Sequence, residues 1–283
     1  MRAANGIAEL ERRVAELDSE RLDERLDEPA TSSNLSERHA VIRDAKKFIC
    51  VLDEVTNTGD HANTIMVSSA DADAVVATSL LIRRLESAEP ELVTGGIDGY
   101  PQFWISTGKP PWVPSRQHVL SEAHFVAATG HGQTPHAKPF GVGLFTSSGF
   151  QGTQGMWRLF LDIGDDPLLF PHPWHVWRAN VSSGARVCEV TTAAEWEDLI
   201  LRYPAVHDDD GLIYPDWPAI ARDWNAVHMT IRAIAAIQGV RIRGSLGALA
   251  PSYWDVETTF WLRWSFPEVE PVPVGESTGL PQA

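Results

Sequence analysis

One stretch of this chain concentrates polar, conformationally permissive residues: TGHGQTPHAKPFGVGLFTSSGFQGTQGMWR, centred on His131 to Gly155. Its glycines let the backbone turn sharply and approach a ligand closely, while His131, Thr134, His136, Thr146, Ser147 and Ser148 supply donors and acceptors. That chemistry suits a polar cofactor, and equally a set of tight hairpin turns. The segment has neither a GxGxxG between a strand and a helix nor the GK[ST] of a phosphate loop, so a dinucleotide fold of that type is disfavoured. A second constellation is histidine: His118, His124, His131 and His136, then His172 and His175 in FPHPWHVW. Two imidazoles at that last spacing could approach one zinc ion, but HExxH and HxHxD are absent, and no metal site is expected. Asp208, Asp209 and Asp210 read as a solvated loop, and neither Cys50 nor Cys188 has a sequence partner for a catalytic dyad.

Three short pieces carry a resemblance. His131, Gly132 and Thr134 look like an HG[ST] cofactor strand, Phe145 to Ser148 like an aromatic-Ser-Thr-Ser strand, and Asp255-Val256-Glu257 like a terminal [EQ]xE. Together they resemble the ADP-ribosyltransferase superfamily, which includes bacterial toxins and defence effectors. The resemblance implies NAD as donor substrate and Glu257 as the catalytic carboxylate, stabilising positive charge as the glycosidic bond opens. It also implies cofactor contacts from His131, Gly132, Thr134, Ser147 and Ser148, and Trp254 beside the acidic pair is placed to stack on a flat ring. Several departures accompany it. The loop from Thr134 to Val142 is short where the family usually inserts a helix, Ser148 stands far from Glu257, and only Arg116 offers itself as a first-strand arginine. The alternatives on these residues are a non-enzymatic assembly protein and a metal-dependent hydrolase, with Glu257 then a solvated carboxylate or a partner of Arg263.

The elements that would position these residues make an α+β fold: a mixed or antiparallel sheet core with flanking helices, preceded by an N-terminal helical segment. In residues 1–35, Ile7, Leu10, Val14 and Leu17 form one helical stripe, a surface for self-association or for a protein partner, followed by a linker. Residues 36–100 hold a helix from Ser36 and a β-α unit, a strand at Thr64 to Val67 and a helix ending before Pro90. The main domain spans 101–267. Its expected strands are Phe103 to Ser106, Met156 to Ile163, Arg186 to Val190 and Thr259 to Phe266, the last with Phe260, Leu262, Trp264 and Phe266 on one apolar face.

Thr192 and Glu195 stand at capping-box spacing ahead of a helix that buries Trp196, Leu199, Ile200 and Tyr203 and stops at Pro204. Asp216 to Gly239 carries Ile220, Trp224, Val227, Ile231 and Ile234 at helical steps and reads as one long helix, with a break at Asn225 and a strand over Ala226 to Thr230 as the alternative. The tail 268–283, rich in proline, is expected to be extended or disordered.

Composition bounds the function. With 43% hydrophobic and 22% charged residues the chain has globular usage, and eleven tryptophans promise large packing surfaces. The net charge of −15 disfavours nucleic acid and anionic bilayers as partners. Two cysteines fit a reducing compartment, and no signal peptide or apolar run of spanning length is found, so a soluble, cytoplasmic protein is expected.

Overall fold

A computed structural model describes residues 90–106, 121–129, 136–139, 141–150, 153–158, 161, 171–207, 211–237, 243–244, 247–250, 252, 254 and 256–274. The expectations for residues 1–35, the helix from Ser36 and the strand and helix up to Pro90 lie outside them. So do His118, His131, Gly132, Thr134 and the three aspartates at 208–210.

The centre of the fold is a seven-stranded sheet in the order β11-β3-β1-β2-β10-β7-β4. Its strands are β1 (Gln102–Ser106), β2 (Leu144–Ser148), β3 (His175–Ala179), β4 (Val187–Val190), β7 (Ala226–Met229), β10 (Thr258–Trp261) and β11 (Val269–Val272). All neighbours are antiparallel except β4 and β7, which run parallel. A parallel pair needs a crossover. With helix α1 (Pro90–Thr94) ahead of β1 and the hairpin β8 (Arg243–Gly244) and β9 (Gly247–Ala248) ahead of β10, the crossover is supplied by helix α2 (Ala193–Arg202), the hairpin β5 (Pro204–Val206) and β6 (Ile213–Pro215), and helix α3 (Trp217–Asp223). The sheet is therefore mixed, with a few helices, in agreement with an α+β class.

Alternation along the strands sends side chains to two separate cores. Phe260, Val227, Met229 and Val190 join the larger cluster, which packs with Trp196, Ile200 and Ile220 of α2 and α3. Trp261 and Ala226, on β10 and β7 but of opposite parity, join a smaller cluster with Leu144, Trp104, Ile97 and Phe266. Both faces of β7 are thus covered, which is why all four of its residues are buried.

Helix α2 begins as its sequence dictates. The Glu195 amide donates to Thr192 Oγ1 at 3.2 Å, and Glu195 Oε2 accepts from the Thr192 amide at 3.0 Å, closing the capping box. Trp196, Leu199 and Ile200 are buried, Tyr203 is half-buried at the C-cap, and Pro204 starts the next strand. We expect Thr192→Ala to cost about 1 kcal/mol in urea unfolding, because the first turn loses one satisfied amide.

Three expectations need correction. Residues 156–158 and 161 are helical and not part of a strand. Gly155, at φ +80°, turns the chain, and Ser147 Oγ accepts from the Trp157 amide at 3.2 Å, satisfying a donor at the helix start. The long helix from Asp216 is two helices, α3 and α4 (Ile231–Ile237), separated by β7. Asn225 makes the break: its amide donates to Arg186 O at 2.7 Å, its Oδ1 accepts from the Arg186 amide at 3.0 Å, and its carbonyl accepts from Leu262 at 2.8 Å. That last bond also ends β10 at Trp261, so Leu262 joins the larger core while Phe266 turns back into the smaller one. In the tail, expected to be extended or disordered, Val269–Val272 is extended as a strand paired with β3, with Arg178 Nη1 bonded to Glu270 Oε1 at 2.7 Å.

Candidate active site

The face of the sheet that carries the smaller core changes character along the strands. Toward one end it is apolar, with Trp104, Leu144, Trp261, Ala226 and Val187. Two residues along, the same parity brings Gln102, Thr146 and Ser148, Glu257 and Thr259, His228 and Glu189 into one row across five strands. Register places them. Thr259 lies opposite Thr146, so Glu257, two residues earlier, falls level with Ser148, and His228 lies beside both Thr259 and Glu189.

The row is hydrogen-bonded almost throughout. Trp261 Nε1 donates to Thr146 Oγ1 at 2.8 Å, the Thr146 hydroxyl donates to Gln102 Oε1 at 2.6 Å, and Gln102 Nε2 donates to Ser148 Oγ at 3.0 Å. The Ser148 amide then donates to the Glu257 carboxylate, 3.2 Å from Oε1 and 3.1 Å from Oε2. Glu257 Oε1 also accepts from His228 Nε2 at 2.9 Å, and His228 Nδ1 is bonded to Glu189 Oε2. Thr259 Oγ1, in the same row, is buried without a partner among the described residues.

His228 is wholly buried, which works against its charge, but hydrogen bonds to Glu189 and Glu257 and the charges of both outweigh that penalty and raise its pKa to about 9. A neutral imidazole has one N–H; only the imidazolium can donate to two carboxylates at once. At neutral pH the unit is therefore a cation held between two carboxylates. Glu257 is 1% exposed and Glu189 37%.

Of the residues expected at a site, Glu257 and Ser148 meet here, although 109 positions apart in sequence. Ser147 and Trp254 do not. Ser147 has the opposite parity and caps the helix at 156. Trp254, fully buried, sits edge-on to Trp196, Trp217 and Phe145 in the larger core, with Lys138 Nζ donating to its carbonyl at 3.2 Å. In this conformation no face of Trp254 is open for a ligand ring. Arg263, considered as a partner for Glu257, instead donates to Arg222 O at 2.9 Å.

The histidine bonded to Glu257 is His228, which is not one of the second constellation. His124 pairs with Ser121, His136 is exposed, and His172 stacks on Trp174. Among the described residues there is no group of three or more His, Cys, Asp or Glu placed to hold a metal ion. Cys188 is half-buried, and burial, followed by the neighbouring Glu189, pushes its thiol up to about 11, a poor nucleophile at neutral pH.

Sequence reasoning missed His228 and Glu189. The available signal was a histidine inside the apolar run Ala226-Val227-His228-Met229, bounded by Asn225 and Thr230. On a two-sided buried strand such a residue needs polar partners on the neighbouring strands.

Comparisons with protein-family models, with curated proteins and with solved structures return no match. No helix among the described residues is long and apolar enough to cross a membrane.

Proposed function

We propose that the chain is an NAD-using enzyme of the ADP-ribosyltransferase type, with Glu257 as its catalytic carboxylate. The observation that supports this is the hydrogen bond from the Ser148 amide to Glu257, which joins two of the three motif pieces across adjacent strands. In the reaction the bond between the ribose anomeric carbon and the nicotinamide nitrogen breaks, and its electron pair leaves with neutral nicotinamide. Positive charge develops on the sugar, Glu257 stabilises it, and an acceptor nucleophile closes the vacancy and gives up its proton. Glu257 is 1% exposed, so NAD contacts it only if the packing around it opens.

Incubation of the purified chain with NAD is expected to release nicotinamide, measured by chromatography with and without added protein acceptors. Glu257→Gln should lower the rate by about a hundredfold, the magnitude that goes with losing one well-aimed electrostatic group. Turnover by wild type that is unchanged in Glu257→Gln, or no turnover at all, would sink the reading.

Burial of Glu257 and Ser148 favours a second reading, a non-enzymatic interaction protein whose polar row fixes strand register. Under it wild type releases no nicotinamide, and Glu257→Gln lowers the unfolding free energy without any catalytic phenotype.

A further inference from the structure

We propose that His228 is a positioning residue for Glu257 and that Glu189 is the solvent-facing third member of the same unit, so that the charge presented at Glu257 is controlled from the β4 edge of the sheet. This rests on the reading of Glu257 as the catalytic carboxylate, although the linkage among the three residues has a test of its own.

The topology makes the connection. β7 lies between β10 and β4, and β4 is the last strand of the sheet. His228 therefore has one neighbour in the interior and one at the margin. Its Nε2 is 2.9 Å from Glu257 Oε1, and its Nδ1 holds Glu189 Oε2. Exposure follows the same order, 1% for Glu257, 0% for His228 and 37% for Glu189, so Glu189 is the member of the three that meets water.

Glu189 is itself held. Its Oε1 accepts from the Ile97 amide at 3.3 Å, and a methyl group added at Gly96 would stand 3.2 Å from that oxygen, so the backbone at 96–97 rests on the carboxylate. Ile97 is buried in the smaller core, which fixes that backbone in turn.

Among the described residues, β2, β4 and β10 bring no competing charge to the imidazole. β2 contributes Thr146 and Ser148, and β10 contributes Thr259. On β4 the other titratable group, Cys188, has the parity of the opposite face, and the turn at 97–99 carries Asp98, which is exposed. The charged groups bonded to His228 are thus Glu189 and Glu257. Removing the negative charge at Glu189 leaves the imidazolium with one carboxylate, favours loss of the Nδ1 proton, and frees the ring to adopt another tautomer. Glu257 would then keep the Ser148 amide but lose a fixed donor on its other side.

The test uses the full chain with ¹⁵N-labelled histidine, in wild type, Glu189→Gln and Glu189→Asp. The imidazole nitrogens of His228 are followed by NMR from pH 5 to pH 10, and kcat and KM for nicotinamide release are measured over the same range. In wild type both nitrogens should remain protonated at pH 8. Glu189→Gln should move the titration midpoint down by about one pH unit, a tenfold change in proton affinity. The alkaline limb of kcat should move with it, KM for NAD should stay constant, and Glu189→Asp should restore most of both.

A singly protonated His228 in wild type at pH 7, or a midpoint and kcat profile unmoved by Glu189→Gln, would overturn the proposal. If wild type releases no nicotinamide, the enzymatic reading of Glu257 fails, and the NMR titration alone decides whether Glu189 controls His228. Should Glu189→Gln not fold, Glu189→Ala takes its place: a lowered midpoint there supports the proposal and an unmoved one overturns it.

Discussion

His228→Ala is expected to lower the unfolding free energy by about 3–5 kcal/mol in urea titration, because it strands Glu257 in the sheet interior with the Ser148 amide as its hydrogen-bond donor. The loss is larger than that of an ordinary buried hydrogen bond, since a buried charge left without its counter-charge bears the full cost of desolvation. A second substitution checks the cause. Adding Glu257→Gln to His228→Ala removes the uncompensated charge, so the double variant should recover part of the stability lost by the single one. A loss under about 1 kcal/mol for His228→Ala would mean that the pair is not formed in solution.

Raising the pH should destabilise the wild-type protein from about 6.5 upward. The folded state holds the His228 proton up to about 9, against an ordinary value of 6.5. A raised folded value means that the stabilisation is fully present below the unfolded value and is lost as pH climbs through the folded one. Between those limits the unfolded chain has released the proton while the folded chain keeps it, and the unfolding free energy should fall by about 3 kcal/mol. Tm measured at closely spaced pH values should show this decline, and Glu257→Gln should flatten it. A Tm that holds constant from pH 6.5 to 9 would rule out an imidazolium between the two carboxylates.

What could be read from the sequence and what could not follow from the range of the forces involved. The capping box of Thr192 and Glu195 is complete within four residues, so the start of α2 and its buried Trp196, Leu199 and Ile200 were legible. The segment from Met156 failed because a short apolar run has no period that separates strand from buried helix. Its start is decided by Ser147, ten residues back, which bonds the Trp157 amide. Ile220, Trp224, Val227, Ile231 and Ile234 mimic one long helix for a related reason. Both faces of β7 are buried, so its residues satisfy a helical count as readily as a strand's.

The site was half legible. Glu257 and Ser148 were selected by resemblance to short motifs, while parity on β2 separates Ser148 from Ser147, and parity is visible only once the strand's pairing is known. His228 escaped because its partners, Glu189 and Glu257, are 39 and 29 positions away. Nothing within a local window marks it as charged.

β10 occupies an inner position of the sheet, between β2 and β7, yet it is the tenth of the eleven strands among the described residues. During synthesis the edges of β2 and β7 both emerge before the strand that joins them exists, each presenting unpaired amides and carbonyls. The nascent chain therefore passes through an interval in which two inner strands behave as open edges, and slow translation near residue 257 would prolong it.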